Sequence, residues 1–229
     1  MKIKIINFAR KQHRTSQMIK IQSFTFNPFQ ENTYIAYDET KECIIIDPGC
    51  YDSNEESILE NFIEQNHLKP KMLINTHCHL DHIFGNQFVC DSYQLKPVMH
   101  RLDLPILEYA PMAASRYGLK LGSIPEPGSF IEEGDLIEFG RSKFNVIFTP
   151  GHAPGHICLI NEEEKIAIVA DVLFRLSIGR TDLPLGDHDT LIASIRQKLF
   201  NLDDDTVVYP GHGPNTTIGF EKQNNPFTK

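Results

Sequence analysis

The sequence predicts an α/β fold, a four-layer αβ/βα sandwich in which two sheets pack face to face and carry their helices on the outside. Three observations predict it. Short runs rich in β-branched and aromatic residues recur along the 229 residues. A helical stretch interrupts them in each half, so that strands, helix and strand are followed by strands, helix and strand again, a coarse internal duplication of architecture. Histidine-bearing turns close several of the runs, which places polar chemistry at strand ends along one edge.

Residues 1–17 are basic and weakly patterned, and read as a flexible lead to one domain spanning residues 18–229. Ile19–Phe26, Thr33–Tyr37 and Cys43–Asp47, parted by turn-formers such as Asn27-Pro28 and Asp38-Glu39, read as an antiparallel meander that Asp47-Pro48-Gly49 ends. Ser53–Asn66 then places Ile58, Leu59, Phe62 and Ile63 on one helical face, with Ser53 as N-cap and Glu56 completing a capping box. The strand Met72–Ile74 runs into Thr76-His77-Cys78-His79-Leu80-Asp81-His82, where Asp81 is placed to cap a short helix beginning at His82. After a strand at Pro97–Met99, Pro105 and Pro111 predict a broken helix over Arg101–Tyr117, and the Gly- and Pro-rich stretch 118–134 reads as a surface loop. Strands follow at Leu136–Phe139, Lys143–Thr149, His156–Ile160 and Lys165–Ala170, then a helix over Asp189–Phe200, a strand at Thr206–Tyr209 and a short tail.

Composition narrows the function classes. With 22 basic against 30 acidic residues the net charge is −8, which disfavours nucleic acid as a partner. The sequence has neither a spanning apolar stretch of roughly 20 residues nor a signal-peptide pattern, so a soluble, cytoplasmic protein without a membrane partner is expected. Five cysteines, odd in number and without CxxC spacing, suit a reducing compartment. Cys78 has the opposite parity to His77 and His79, so it is expected to be a packed neighbour.

The heptapeptide carries the most chemistry. Three imidazoles and a carboxylate within six residues (77–82) offer the lone pairs of a metal site. In an extended segment, residues 77, 79 and 81 project to one side. Three further loops follow strand-like runs: Thr149-Pro150-Gly151-His152, Ala170-Asp171 and Tyr209-Pro210-Gly211-His212-Gly213. Proline and glycine beside each histidine fix a tight turn that holds an imidazole rigidly. His156, at the start of a strand, is read as orienting or structural, and His13, His67, His100 and His188 as ordinary. Asp47 either holds a ligand histidine or merely forms its turn. Asp203–Asp205 is read as a solvated turn. Arg180 either contacts an anionic substrate or pairs with Asp182.

These motifs resemble the metallo-β-lactamase superfamily, with its HxHxDH signature and downstream His, Asp and His. The resemblance covers about Ile19 to Gly213 and includes Asn27-Pro28-Phe29-Gln30-Glu31-Asn32, Ile46-Asp47-Pro48-Gly49 and Ser177-Ile178-Gly179-Arg180-Thr181-Asp182. Within the superfamily the chain is most similar to compact bacterial glyoxalase II-like hydrolases without the extra helical domain. The resemblance implies that His77, His79 and His152 hold one metal ion, that Asp81, His82 and His212 hold a second, and that Asp171 bridges them. It implies two divalent ions, foremost Zn²⁺ with Fe or Mn as alternatives, and a bridging hydroxide that attacks a small-molecule thioester or ester. Asp81 and Asp171 are then the catalytic carboxylates and Arg180 the substrate contact. The alternatives are a persulfide dioxygenase with one iron, a lactonase or another ester hydrolase, and a diiron electron-transfer module. A β-lactamase is disfavoured because Asp171 stands where those zinc enzymes usually place cysteine.

Overall fold

The computed structural model describes residues 18–229; the expected lead at 1–17 lies outside the described residues. The first half builds β1 (Lys20–Phe26), β2 (Glu31–Tyr37), β3 (Glu42–Ile46), α1 (Ser53–Gln65), β4 (Lys69–Ile74), α2 (Asn86–Tyr93), β5 (Pro97–Met99), α3 (Leu104–Tyr117) and β6 (Ser129–Phe130). The second builds β7 (Leu136–Phe139), β8 (Ser142–Phe148), β9 (Ile157–Asn161), β10 (Ile166–Ala170), β11 (Leu173–Phe174), β12 (Ser177–Ile178), α4 (His188–Gln197), β13 (Val207–Pro210), β14 (Thr216–Thr217) and α5 (Ile218–Asn224). One sheet runs β1-β2-β3-β4-β5-β6, the other β14-β13-β10-β9-β8-β7, and β11 and β12 form a separate hairpin. The meander β1-β2-β3 is antiparallel, as its short turns require, whereas β3, β4, β5 and β6 pair in parallel through crossovers.

The two-residue period of each strand sorts side chains between layers. In β3, Ile44 and Ile46 enter the core between the sheets, while Cys43 and Ile45 pack outward with Leu59 and Ile63 of α1. In β10, Ile166 and Ile168 face the same central core, and Ala167 and Val169 pack outward with Leu191 and Ile195 of α4. Each of these isoleucines is buried and contributes roughly 1.5–3 kcal/mol. The alternation produces sheet against sheet with helices outside, the four-layer sandwich expected. Among the described residues no helix is long and apolar enough to cross a membrane, and the five cysteines are free.

Several local expectations are corrected. The N-cap of α1 is Asp52 rather than Ser53, because the Asp52 carboxylate reaches the backbone N–H groups of Asn54 and Glu55 at 2.9 and 3.0 Å. Asp81 caps no helix; it lies inside a 3₁₀ turn over Leu80–His82, with its side chain turned to His212. Only Arg101–Asp103 is set apart as a 3₁₀ turn, and α3 then runs unbroken through Pro111. Pro111 itself sits on the exposed face of the helix. The loop 118–134 contributes β6 to a sheet edge, and the tail forms β14 and α5, whose buried Glu221 binds Leu176, Thr216 and Asn225.

Candidate metal centre

Every predicted site residue comes to one place, the ends of strands from both sheets. The chain leaves β4 at Asn75, bends at Thr76 and His77, and enters the Leu80–His82 turn. Asp81 therefore departs from the line of His77 and His79 that an extended segment would have kept. His77, His79 and His152 bring their ligand-type atoms within 4.8 Å of one another, and so do Asp81, His82 and His212. Asp171 lies between the sets, its oxygens 3.4 Å from His82 Nε2, 3.4 Å from His152 Nε2 and 3.5 Å from His212 Nε2.

The hydrogen bonds at the back of the rings decide which nitrogen faces the centre. The Nδ1 of His82 meets Asp47 Oδ2 at 3.1 Å, that of His152 the Arg180 carbonyl at 2.7 Å, and that of His212 the Phe29 carbonyl at 3.1 Å. The Nδ1 of His77 faces the Thr76 hydroxyl at 3.2 Å, and that hydroxyl donates to Asp47 Oδ2 at 2.5 Å. A donor role at Nδ1 leaves the Nε2 lone pair facing inward in all four rings. Asp47 thus orients one histidine of each set. Its backbone is left-handed, at φ 49°, so it forms a strained turn as well. A third cluster, Asp47 with His77 and His82, is no ligand set, because the Asp47 oxygens are engaged by Thr76 and His82.

The residues fit two cations. His77 Nε2, His82 Nε2 and Asp171 Oδ1 are buried without a hydrogen-bond partner, a costly state for polar atoms that a metal ion would relieve. His79 Nδ1 and His152 Nε2 lie 2.8 Å apart with no carboxylate between them, an arrangement suited to two lone pairs on one ion. Glycine makes room for the carboxylate: a Cβ on Gly211 would stand 2.0 Å from Asp171 Oδ1, and one on Gly179 would stand 1.8 Å from the Asp171 carbonyl.

Electrostatics separate the two sets. Burial holds His77 well below the usual imidazole range and His79 down at about 3, with neighbouring imidazoles adding to the effect. Burial opposes charge on His82 and His212 too, but Asp171 and Asp81 outweigh it, raising His82 well above its ordinary value and His212 to about 10. One set is neutral imidazole and the other is an ion-paired cluster. Burial alone would raise Asp171, but His82, His212 and His152 hold it well below the carboxylate range.

His156 is confirmed as a supporting residue. Its Nε2 accepts the Asp171 backbone N–H at 3.3 Å, its Nδ1 meets Thr149 Oγ1 at 3.2 Å, and its ring stacks on His77. Cys78 is buried against Met99, as its parity predicted. Arg180 grips Asp182 through a fork at 2.7 and 2.8 Å while also lining the cavity above the centre. Asp203 and Asp205 pair with Lys165 in an exposed turn.

Sequence reasoning missed three supporting residues. Asp103 is fully buried and accepts the N–H of Cys78 at 2.5 Å and that of Gly155 at 2.7 Å, joining the two loops that carry His77, His79 and His152. Asn32 clamps the His212 loop: its amide donates to the Pro210 and Gly213 carbonyls at 3.1 and 2.9 Å, and its backbone N–H donates to Gly211 at 2.7 Å. The Asn27 amide donates to the carbonyls of Gly49 and Asp81. The segment Asn27–Asn32 was legible as a motif, but only its partners, up to 181 positions away, reveal what it does.

A cavity of about 600 Å³ opens above the centre. Its floor includes His79, Asp81, His152, Asp171 and His212; α3 forms one wall and the stretch from Phe174 to Pro184 the other.

Residues 26–212 match the family described as the metallo-beta-lactamase superfamily. The chain is 38% identical over 211 residues to the hydroxyacylglutathione hydrolase GloC of Haemophilus influenzae, covering 91% of this chain and 98% of that one. Among solved structures, TTHA1623 in a di-iron-bound form is 38% identical with a TM-score of 0.81, covering 90% of this chain and 99% of that one. The BLEG-1 B3 metallo-beta-lactamase is 33% identical with a TM-score of 0.80, covering 92% and 100%. The fold, the ligand geometry and this match over most of its length agree: the chain belongs to the metallo-β-lactamase superfamily.

Proposed function

We propose that the protein is a metal-dependent hydrolase of thioesters of the hydroxyacylglutathione type. His77, His79 and His152 would hold one divalent ion and Asp81, His82 and His212 a second, with the Asp171 carboxylate lying between the two sets. The observation that carries this reading is the group of buried, unpartnered ligand-type atoms, His77 Nε2, His82 Nε2 and Asp171 Oδ1, beside a cavity whose lining includes His79, Asp81, His152, Asp171 and His212. The likeness to a hydroxyacylglutathione hydrolase over 98% of that protein's length supports the reaction class.

Two divalent ions bound there supply an ionised water at neutral pH and draw electron density from an acyl carbonyl. The chain's residues do the rest. Asp81 and Asp171 are the catalytic carboxylates: both line the cavity floor, where a carboxylate oxygen would accept a hydrogen bond from the attacking water and orient it towards the acyl carbon. His152 and His212, tied back by the carbonyls of Arg180 and Phe29, cannot swing away. Phe29, Phe174 and the α3 wall exclude bulk water from the carbonyl. A thiolate leaves with little need of a proton, because thiols ionise near pH ~8.5, and this favours thioesters over oxygen esters. Zinc is the proposed ion, iron the alternative, and the cytoplasm the proposed compartment.

Elemental analysis of purified protein, paired with assays against S-lactoylglutathione, a β-lactam and a persulfide, tests the reading. Two equivalents of metal with thioester hydrolysis are expected. Two equivalents with β-lactam opening alone would replace the substrate class, and one iron with oxygen uptake on the persulfide would replace the reaction.

A further inference from the structure

The cavity wall carries a group that the catalytic reading does not use. Ile106, Tyr109, Ala113, Arg116 and Tyr117 line the cavity from α3, and their spacing of three, four, three and one places them on one helical face. The N-terminal end of α3 is fixed to the metal loops by Asp103, so successive turns carry the wall away from that anchor. Ile106 and Arg116 are separated by ten residues, or about 15 Å of helix. Apolar and aromatic side chains occupy most of this wall, and Phe29 braces it edge-on against Tyr117 at 5.1 Å.

Two guanidinium groups line the cavity, and they differ in their partners. Arg180 is closed by a two-pronged pair with Asp182. Arg116 makes no ion pair among the described residues; its guanidinium lies over the Tyr109 ring, 5.5 Å from the centroid. The ring contact uses none of the guanidinium N–H groups as hydrogen-bond donors, and among the described residues no acceptor takes them, which leaves them for the bidentate binding of a carboxylate.

We propose that Arg116 is a substrate-specificity residue: it binds a carboxylate at the end of an apolar arm lying along α3, so that the preferred substrates are thioesters of amphipathic, carboxylate-bearing thiols or acids. This deepens the thioester reading of the same site and rests on it. The arm occupies the α3 face and the carboxylate meets the one lining cation that no acidic side chain of the described residues has already claimed.

The test uses metal-loaded protein and two matched substrates, the S-butanoyl thioesters of para-(mercaptomethyl)benzoate and of its carboxamide. The wild type is expected to favour the carboxylate about tenfold in kcat/KM, the scale of one charge-assisted hydrogen-bond pair. In Arg116→Gln the ratio should fall to about one, chiefly through KM, while Arg116→Lys should restore part of it and Arg180→Gln should leave it in place. A ratio near one in the wild type, or a preference that survives Arg116→Gln or vanishes in Arg180→Gln, overturns the proposal. If neither thioester turns over, the thioester reading fails. Arg116 is then judged by binding of the unreactive propyl thioethers of the same acid and amide, where the carboxylate preference must again depend on Arg116.

Discussion

Asp103 accepts the backbone N–H of Cys78 at 2.5 Å, and Cys78 stands between two of the inward-facing histidines, His77 and His79. The other oxygen holds Gly155, beyond His152. One buried carboxylate therefore sets the spacing between the two loops that together carry His77, His79 and His152.

Replacing Asp103 with asparagine keeps one acceptor and leaves one of those N–H groups facing a donor. The expected cost is about 1–3 kcal/mol of stability and about tenfold to hundredfold in metal affinity, measured by urea unfolding and by competition with a chelating dye. Burial raises the Asp103 carboxyl to about 6, against the two N–H groups that lower it. The folded state therefore holds this proton more tightly than the unfolded chain, and stability from this group falls as pH rises from about 4 towards 6. The stability advantage of wild type over Asp103→Asn should shrink across that window in metal-free protein; an advantage that grows would contradict the assignment.

Loading the two half-sites should differ in protons. His82 and His212 are raised by Asp171 and Asp81 against the pull of burial, so both are protonated near neutrality and must lose a proton to bind metal. His77, His79 and His152 are lowered by burial and are already neutral. Calorimetry in buffers of different ionisation heat should find close to no proton released at the three-histidine set and up to two at the other. Acidification should weaken the second set first. In metal-free protein, stabilisation from His212 is complete below its unfolded value of 6.5 and is lost as pH rises towards about 10.

Gly211→Ala places a methyl group 2.0 Å from Asp171 Oδ1, while the backbone there has no positive φ to strain. Turnover is expected to fall about a hundredfold, the scale of a misplacement of about 1 Å, with the circular dichroism spectrum unchanged. Wild-type activity with full metal content would show that the carboxylate tolerates displacement.

Arg180 holds His152 through its backbone carbonyl, not its side chain. Arg180→Ala should therefore leave metal content intact. The pair with Asp182 is exposed and screened by solvent, so the thermal midpoint should move little. Loss of metal would mean that the guanidinium, rather than the carbonyl, positions the ring.

The parts of this site that could be read from the sequence are those that are local in the chain. His77 and His79 share a parity, His152 and His212 stand beside Pro and Gly, and Asp171 ends a run of β-branched residues; each is visible within a few positions. Sheet faces were not legible in β3, because Cys43, Ile44, Ile45 and Ile46 are all apolar and no alternation marks which pair enters the central core. What escaped were links across the fold. Asp103 reads as an ordinary residue before a helix, and only the approach of Cys78 and Gly155 makes it a tie. Asp52 displaced Ser53 as the cap of α1 because both are good caps and a one-residue offset leaves no mark on the apolar pattern. The tail folded because Glu221 finds partners at Leu176 and Thr216, which no local pattern announces.

The clamp that Asn32 places on the His212 loop has a consequence for the order in which the molecule becomes competent. The first sheet by itself holds His77, His79, Asp81 and His82; the second holds His152, Asp171 and His212, and a residue of β2 fastens the last of these. Neither sheet is a smaller version of the catalyst. All seven site residues are therefore assembled only once β13 has docked, so the site arrives in one step with the closing of the fold rather than accumulating as the chain grows.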